Sequence, residues 1–173
     1  MSWIIDKVTC QDIKGFNGRY EFSFQQGLNL IHGPNGQGKS SIVDSLRWAL
    51  IGELPKVDAI RQGSQSLINK NAGLANGMPE VVVELINLES NENMTIIRRG
   101  HKKATLKTEN TGLTDGQKDA GMEALEVTVA GEHYSGWFGE AQGIIEEQLG
   151  LKSSTLAKCS VVGQDDIMSI IAG

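Results

Sequence analysis

The chain has 173 residues, 39% of them hydrophobic and 21% charged, which is enough apolar material for one core and too little length for two. Sixteen Lys and Arg against 21 Asp and Glu leave a net charge of -5, which excludes a free-standing nucleic-acid binder and confines any DNA contact to a local patch. Glycine is the outlier: 21 residues, about 12% against a usual roughly 7%, with only 3 prolines, so the excess is not a linker composition.

Residues 4–13 (IIDKVTCQDI) read as a strand, and residues 14–18 (KGFNG) break it. In RYEFSF the apolar Tyr20, Phe22 and Phe24 alternate with Arg19, Glu21 and Ser23, the period of a half-buried antiparallel strand. After a Gln25-Gln26-Gly27 turn, LNLIHG predicts a short apolar strand that runs into a glycine-rich loop at 33–38. From Lys39 the period becomes helical, with Ile42, Val43, Leu46, Ala49 and Leu50 on one face, and the helix is expected to stop at Gly52.

Residues 53–79 are polar with weak periodicity and read as loops with room for a short helix. EVVVELINL and MTIIRRG, around the turn-prone Ser90 to Asn93, predict a hairpin. ATLKTE and EVTVAGEHY suggest further strands, with a surface loop over 112–121 between them. Ile144, Ile145 and Leu149 give residues 140–151 helical spacing, and a small-residue apolar run precedes Gln164, with a helix start at Asp165-Asp166. Cys10 and Cys159 form no metal-ligand spacing, so a reducing, cytoplasmic setting is expected. The N-terminus lacks a secretory pattern and no apolar run reaches membrane-spanning length, so no membrane partner is expected.

The chemistry concentrates in Gly33-Pro34-Asn35-Gly36-Gln37-Gly38-Lys39-Ser40, which fits G-x-x-x-x-G-K-[ST], a phosphate-binding loop. To wrap a polyphosphate, the backbone N–H groups of Asn35, Gly36, Gln37 and Gly38 must converge on the anion. Gly36 and Gly38 supply the angles and close approach that side chains block. The helix that starts near Lys39 aims its positive end at the same phosphates. Lys39 is then the point charge for the β- and γ-phosphates of ATP, Ser40 the hydroxyl for Mg²⁺, and Ser41 a partner of the α-phosphate.

Several classes share this loop. A GTPase is disfavoured because Asn69-Lys70-Asn71-Ala72 lacks the aspartate that reads guanine. A small-molecule kinase needs a lid with arginines, and Arg98-Arg99 is the single cluster, inside a predicted strand. Val81 to Glu84 imitates a magnesium-binding strand end, but the chain continues LINL into a hairpin, so it reads as a decoy.

The order of elements resembles the N-terminal half of the ATP-binding head of SMC-like ABC ATPases. It is most like the SbcC type of DNA double-strand-break repair, with RecF, RecN and SMC proteins as cousins. The resemblance rests on the Lys14, Phe16 corner, the string from Gly27 to Glu53, the hairpin ending in Ile96-Ile97-Arg98-Arg99, and VVGQDDIMSII. It implies an α/β P-loop NTPase fold, the N-terminal lobe of an ABC-type ATPase head, with a mixed sheet plus an antiparallel β subdomain over about 80–135 and a Q-loop around residue 164. By resemblance Gln164 touches Mg²⁺ or the attacking water, and Lys14 lies near the phosphates. Arg61 falls where some relatives carry an arginine near nucleotide or DNA. Arg98, Arg99, His101, Lys102, Lys103 and Lys107 offer a DNA-facing patch, with a solvated strand edge as the competing reading.

Signature L-S-G-G-Q, an apolar strand ending in Asp-Glu, and heptads are absent, so residues 1–173 read as a fragment of a longer coiled-coil chain or as one half of a split head. The resemblance implies several partners: the C-terminal half-head, a second head in a homodimer closed by ATP, a nuclease or other effector, and double-stranded DNA. The expected role is repair, end processing or anti-phage defence, with ATP hydrolysis only in the assembled dimer. A stand-alone P-loop NTPase or kinase and a non-catalytic nucleotide-dependent module are the alternatives.

Overall fold

The computed structural model describes residues 2–52, 69, 79–100, 123–136 and 140–159. In chain order the elements are β1 (Trp3–Gln11), β2 (Arg19–Ser23), α1 (Lys39–Ile51), β3 (Glu80–Asn87), β4 (Asn93–Gly100), β5 (Glu123–Val129), β6 (Glu132–Gly136), α2 (Glu140–Leu149) and α3 (Ser153–Cys159).

Alternation of side chains builds the sheet. Val81, Val83 and Leu85 of β3, Met94 and Ile96 of β4, and Leu125, Val127 and Val129 of β5 are all buried, while their neighbours in sequence face the other way. The six strands are ordered β2-β1-β3-β4-β5-β6, and each ladder is antiparallel. The α/β class stands, but the mixed sheet expected from the sequence shows no parallel pair among the described residues. Parallel pairing needs a crossover between neighbouring strands, whereas β3 to β6 are neighbours in chain order, with tight turns joining β3 to β4 and β5 to β6.

Two turns set the register. Asn87 Oδ1 accepts from the N–H groups of Glu89 and Ser90 at 2.9 and 3.3 Å, and Asn91 enters the left-handed region at φ 58°. Ala130 and Gly131, at φ 51° and 83°, close the two-residue connection between Val129 and Glu132, where positive φ at both positions matches the strand twist.

Helix α1 lies across β1, β3 and β4 and also touches α3, whereas α2 covers β5 and β6. Its buried face carries Ile42, Trp48, Ala49, Leu50 and Ile51. Gly52, at φ 77°, ends it and returns its N–H to Trp48 O at 2.8 Å, as the sequence predicts for this glycine. Cys10 faces this helix; burial pushes its thiol above the ordinary range, opposed by a bond with Ser45.

The chain departs from expectation at residues 28–33. Residues 24–34 join no strand, and Leu28 and Leu30 are 99% and 87% exposed. An apolar run becomes a strand only where a neighbour takes its backbone N–H and C=O groups, and no described strand pairs with it. Asn29 instead closes a local turn, accepting from Gln25 N at 3.0 Å and donating to Gln25 O at 2.7 Å. A second departure is α3, which sequence reading missed. Glu146 Oε1 accepts from Ser153 N and Oγ at 2.7 and 2.6 Å, so a side chain of α2 starts this helix. The strand expected at 104–109 and the helix start at Asp165-Asp166 lie outside the described residues.

Candidate nucleotide-binding site

The site is assembled where the corner after β1 meets the loop before α1. Asp12 and Lys14 both take positive φ, 53° and 45°, and bring the chain back within a few residues. Asp12 N donates to Gly18 O at 3.1 Å and Asp12 Oδ1 accepts from Gly18 N at 2.8 Å. Asn69 holds the corner from outside, its N–H on Asp12 O at 2.9 Å and its amide Nδ2 on Lys14 O at 2.6 Å. Asn69, the first residue of the string that imitates a guanine-reading motif, thus has an architectural use.

The corner touches the loop. Gly15 N donates to Ser41 Oγ at 3.3 Å, and a Cβ at Gly15 would lie 3.2 Å from Gly38 Cα. Phe16, 5% exposed, sits against Gly38, where a Cβ would meet its ring at 2.8 Å. Gly38 is therefore constrained twice, by this contact and by φ 86°. Gly36, at φ 83°, has open space beside it, so its demand is conformational alone.

Gly38 is the N-cap of α1, and no side chain caps the helix there. Its carbonyl accepts the first helical bond, from Ile42 N at 3.1 Å. The helix end thus offers N–H groups and a positive dipole end, without a carboxylate of its first turn competing for them. Lys39 arches back over the loop, with Nζ donating to Gly33 O and Pro34 O, each at 2.7 Å. Asn35, Gly36, Gln37 and Ser40 are exposed. Ser41 is buried and its hydroxyl oxygen faces Gly15, which leaves its own proton to donate.

These residues fit ATP with Mg²⁺. The uncapped N-terminus of α1 provides backbone N–H donors, Lys39 provides the cation, and Ser40 provides an exposed hydroxyl. Of the residues read as metal ligands, Ser40 is described and would hold Mg²⁺ through its hydroxyl.

Lys14 lies beside this site but is engaged with α1, its Nζ 2.6 Å from Asp44 Oδ2. Glu84 confirms the decoy reading of Val81 to Glu84: it lies inside β3 and pairs with Lys7 at 3.3 Å.

Two of the six residues of the expected DNA patch are elsewhere than supposed. Arg98 has the parity of Met94 and Ile96 and is fully buried, its Nε on Ala49 O at 3.2 Å and its Nη2 on Gln142 Oε1 at 2.7 Å. Arg99 faces the other side, bonded to Glu80 at 2.6 Å and to Glu126; the Glu80 bond holds its guanidinium above the ordinary value. Both belong to a central strand, neither to an edge, so neither stands free for phosphate. The alternation of MTIIRRG could have shown this, whereas nothing in the sequence marks Gln142. Gln164, Arg61, His101, Lys102, Lys103 and Lys107 lie outside the described residues.

The chain is similar to known proteins in sequence and in fold. The family described as AAA domain matches residues 7–170. A DNA double-strand break repair Rad50 ATPase of Nanoarchaeum equitans is 47% identical over 49 residues, 28% of this chain and 6% of that protein. A chromosome partition protein Smc of Rhodopirellula baltica is 40% identical over 60 residues, 31% of this chain and 5% of that protein. The chain thus matches only a small fraction of the length of these curated relatives. A solved structure from work on ATP-driven dimerization and DNA stimulated activation of SMC ATPases superposes with TM-score 0.63 at 20% identity, covering 98% of this chain and 91% of that one.

Proposed function

The chain belongs to the AAA-domain family, among the SMC- and Rad50-like ATPase heads, and from that premise we propose that it is the ATP-binding N-terminal half of such a head. The observation that carries the reading is the doubly constrained Gly38 at the start of α1, with Lys39 poised over the loop. In this reading the backbone of 35–38 and the α1 N-terminus bind the phosphates, and Lys39 exchanges its carbonyl partners for phosphate oxygens. Mg²⁺, when bound, neutralises charge between the terminal phosphates. Gln164 couples the bound nucleotide to turnover, and Lys14 adds positive potential beside the loop.

Residues 28–31 support a C-terminal half-head as partner: an apolar run leading straight into the phosphate loop, with its leucines in water, is a strand awaiting a neighbour. Hydrolysis then belongs to the assembled dimer of heads. The process is maintenance of DNA ends, by repair or by defence against foreign DNA, in the cytoplasm with a nuclease or other effector subunit. The Rad50-like stretch supports this assignment. DNA contact falls to surfaces other than β4, since Arg98 and Arg99 are committed internally.

Titration of the chain with MgATP tests the reading. Lys39→Ala removes charge-assisted bonds worth about 1.5–3 kcal/mol, so affinity falls roughly 10- to 150-fold. Unchanged affinity would sink the proposal. In the reconstituted head, Gln164→Ala leaves that affinity in place and lowers turnover; an unaltered rate removes Gln164 from the site.

A further inference from the structure

The C-terminal end of α1 is closed by residues from outside it. Its last turn contains no basic residue, and a helix end leaves carbonyls without intrahelical partners. Ala49 O accepts from Arg98 Nε of β4 at 3.2 Å, and Leu50 O accepts from Gln142 Nε2 of α2 at 2.8 Å. Arg98 also donates to Gln142 Oε1 at 2.7 Å, so the guanidinium lies where the helix dipole favours a cation and fixes the orientation of the amide.

The path continues. Gln142 Nε2 reaches Ser153 Oγ at 3.2 Å, and Ser153 donates through both N and Oγ to Glu146. Those two bonds hold the Glu146 carboxyl below the usual carboxylate range. One chain of hydrogen bonds therefore runs from the carbonyls of α1 through Arg98 and Gln142 to the first turn of α3. Arg98 and Gln142 are buried, so water does not replace a broken link there without cost. Helix α3 ends at Cys159, and Gln164 follows within a few residues of sequence.

We propose that Arg98 and Gln142 are positioning residues that transmit the state of the phosphate-holding helix α1 to α3. The inference rests on the reading of α1 as that helix. An anion at the α1 N-terminus polarises and shifts the whole helix, and its C-terminal carbonyls carry the change to Gln142, whose amide can satisfy Leu50 O and Ser153 Oγ together in one arrangement of α1 and α3. Simple core packing predicts no such dependence of α3 on nucleotide.

Amide hydrogen exchange of the full chain, with and without MgATP, tests this once binding has been measured separately. In the wild type, MgATP slows exchange of residues 153–159 by about threefold or more, because α3 gains stability with α1. Gln142→Glu keeps size and the acceptor for Arg98 but loses the donor to Leu50 O; it binds MgATP within about twofold of wild type and loses the α3 response. Ser153→Ala, outside the core, also loses the response, and Ser153→Thr restores it. The inference is overturned if α3 ignores MgATP in a wild type that binds it, or if Gln142→Glu and Ser153→Ala respond like wild type. If the wild type fails to bind MgATP, the nucleotide reading itself falls.

Discussion

The sheet and the approach to the phosphate loop are built from similar residues and meet opposite fates. In β3 and β4, Val83 and Ile96 are fully buried and their backbones are paired on both sides, β3 between β1 and β4, β4 between β3 and β5. In residues 28–31, Leu28 and Leu30 stand in water and no strand forms. Composition does not separate the two regions. The difference, among the described residues, is whether a neighbouring strand takes the backbone N–H and C=O groups. A hairpin supplies its own neighbour a few residues away, while residues 28–31 have no paired strand among the described residues.

The comparison breaks most visibly in the core. Ile96→Ala removes a fully buried side chain from the centre of the sheet under α1, and about 2–5 kcal/mol of stability goes with it. Urea titration should show a lower midpoint at an unchanged slope. A loss below about 1 kcal/mol would mean that the site collapses freely, contrary to the close packing of this sheet.

The loop glycines come next, because they divide one requirement into two parts. Gly36→Ala meets open space, so its cost is the left-handed backbone alone, about 1–2 kcal/mol. Gly38→Ala bears a similar backbone cost and also drives a Cβ into Phe16 at 2.8 Å. It should therefore weaken both stability and MgATP affinity more than Gly36→Ala does. Phe16→Leu in the Gly38→Ala background relieves the steric share and leaves the backbone share. A double-mutant cycle should then show a favourable coupling of about 0.5–3 kcal/mol, and strict additivity would deny that Phe16 and Gly38 constrain each other.

These contrasts explain what was legible in the sequence. The phosphate loop and its helix were readable because Gly36, Gly38 and Gly52 answer to local backbone geometry, which a short string specifies. The β3–β4 hairpin was readable from alternation, since one face is buried and the turn lies between adjacent strands. The strand at 28–33 was misread because apolar spacing states a preference for burial and not the availability of a neighbour. Arg98 was assigned to a surface by its charge, although its parity with Met94 and Ile96 places it inside. Gln142 carried no signal, because its use depends on three elements meeting in space: the end of α1, β4 and the start of α3.

The smallest expected effect sharpens the comparison furthest. Leu28→Ser with Leu30→Ser changes two leucines that are already 99% and 87% exposed, so the stability of the 173-residue chain should move by no more than about 0.5 kcal/mol. The same pair of substitutions should abolish association with a C-terminal half-head, measured by co-purification or by analytical ultracentrifugation of the two halves, because the leucines would then be leaving a buried strand. A loss of more than about 1 kcal/mol in the chain on its own would place these leucines in its core and remove the distinction between the two regions. Unaltered association would leave that distinction standing but assign the partner to another surface, since an apolar strand that contributes nothing to an interface has no reason to lead into the loop exposed.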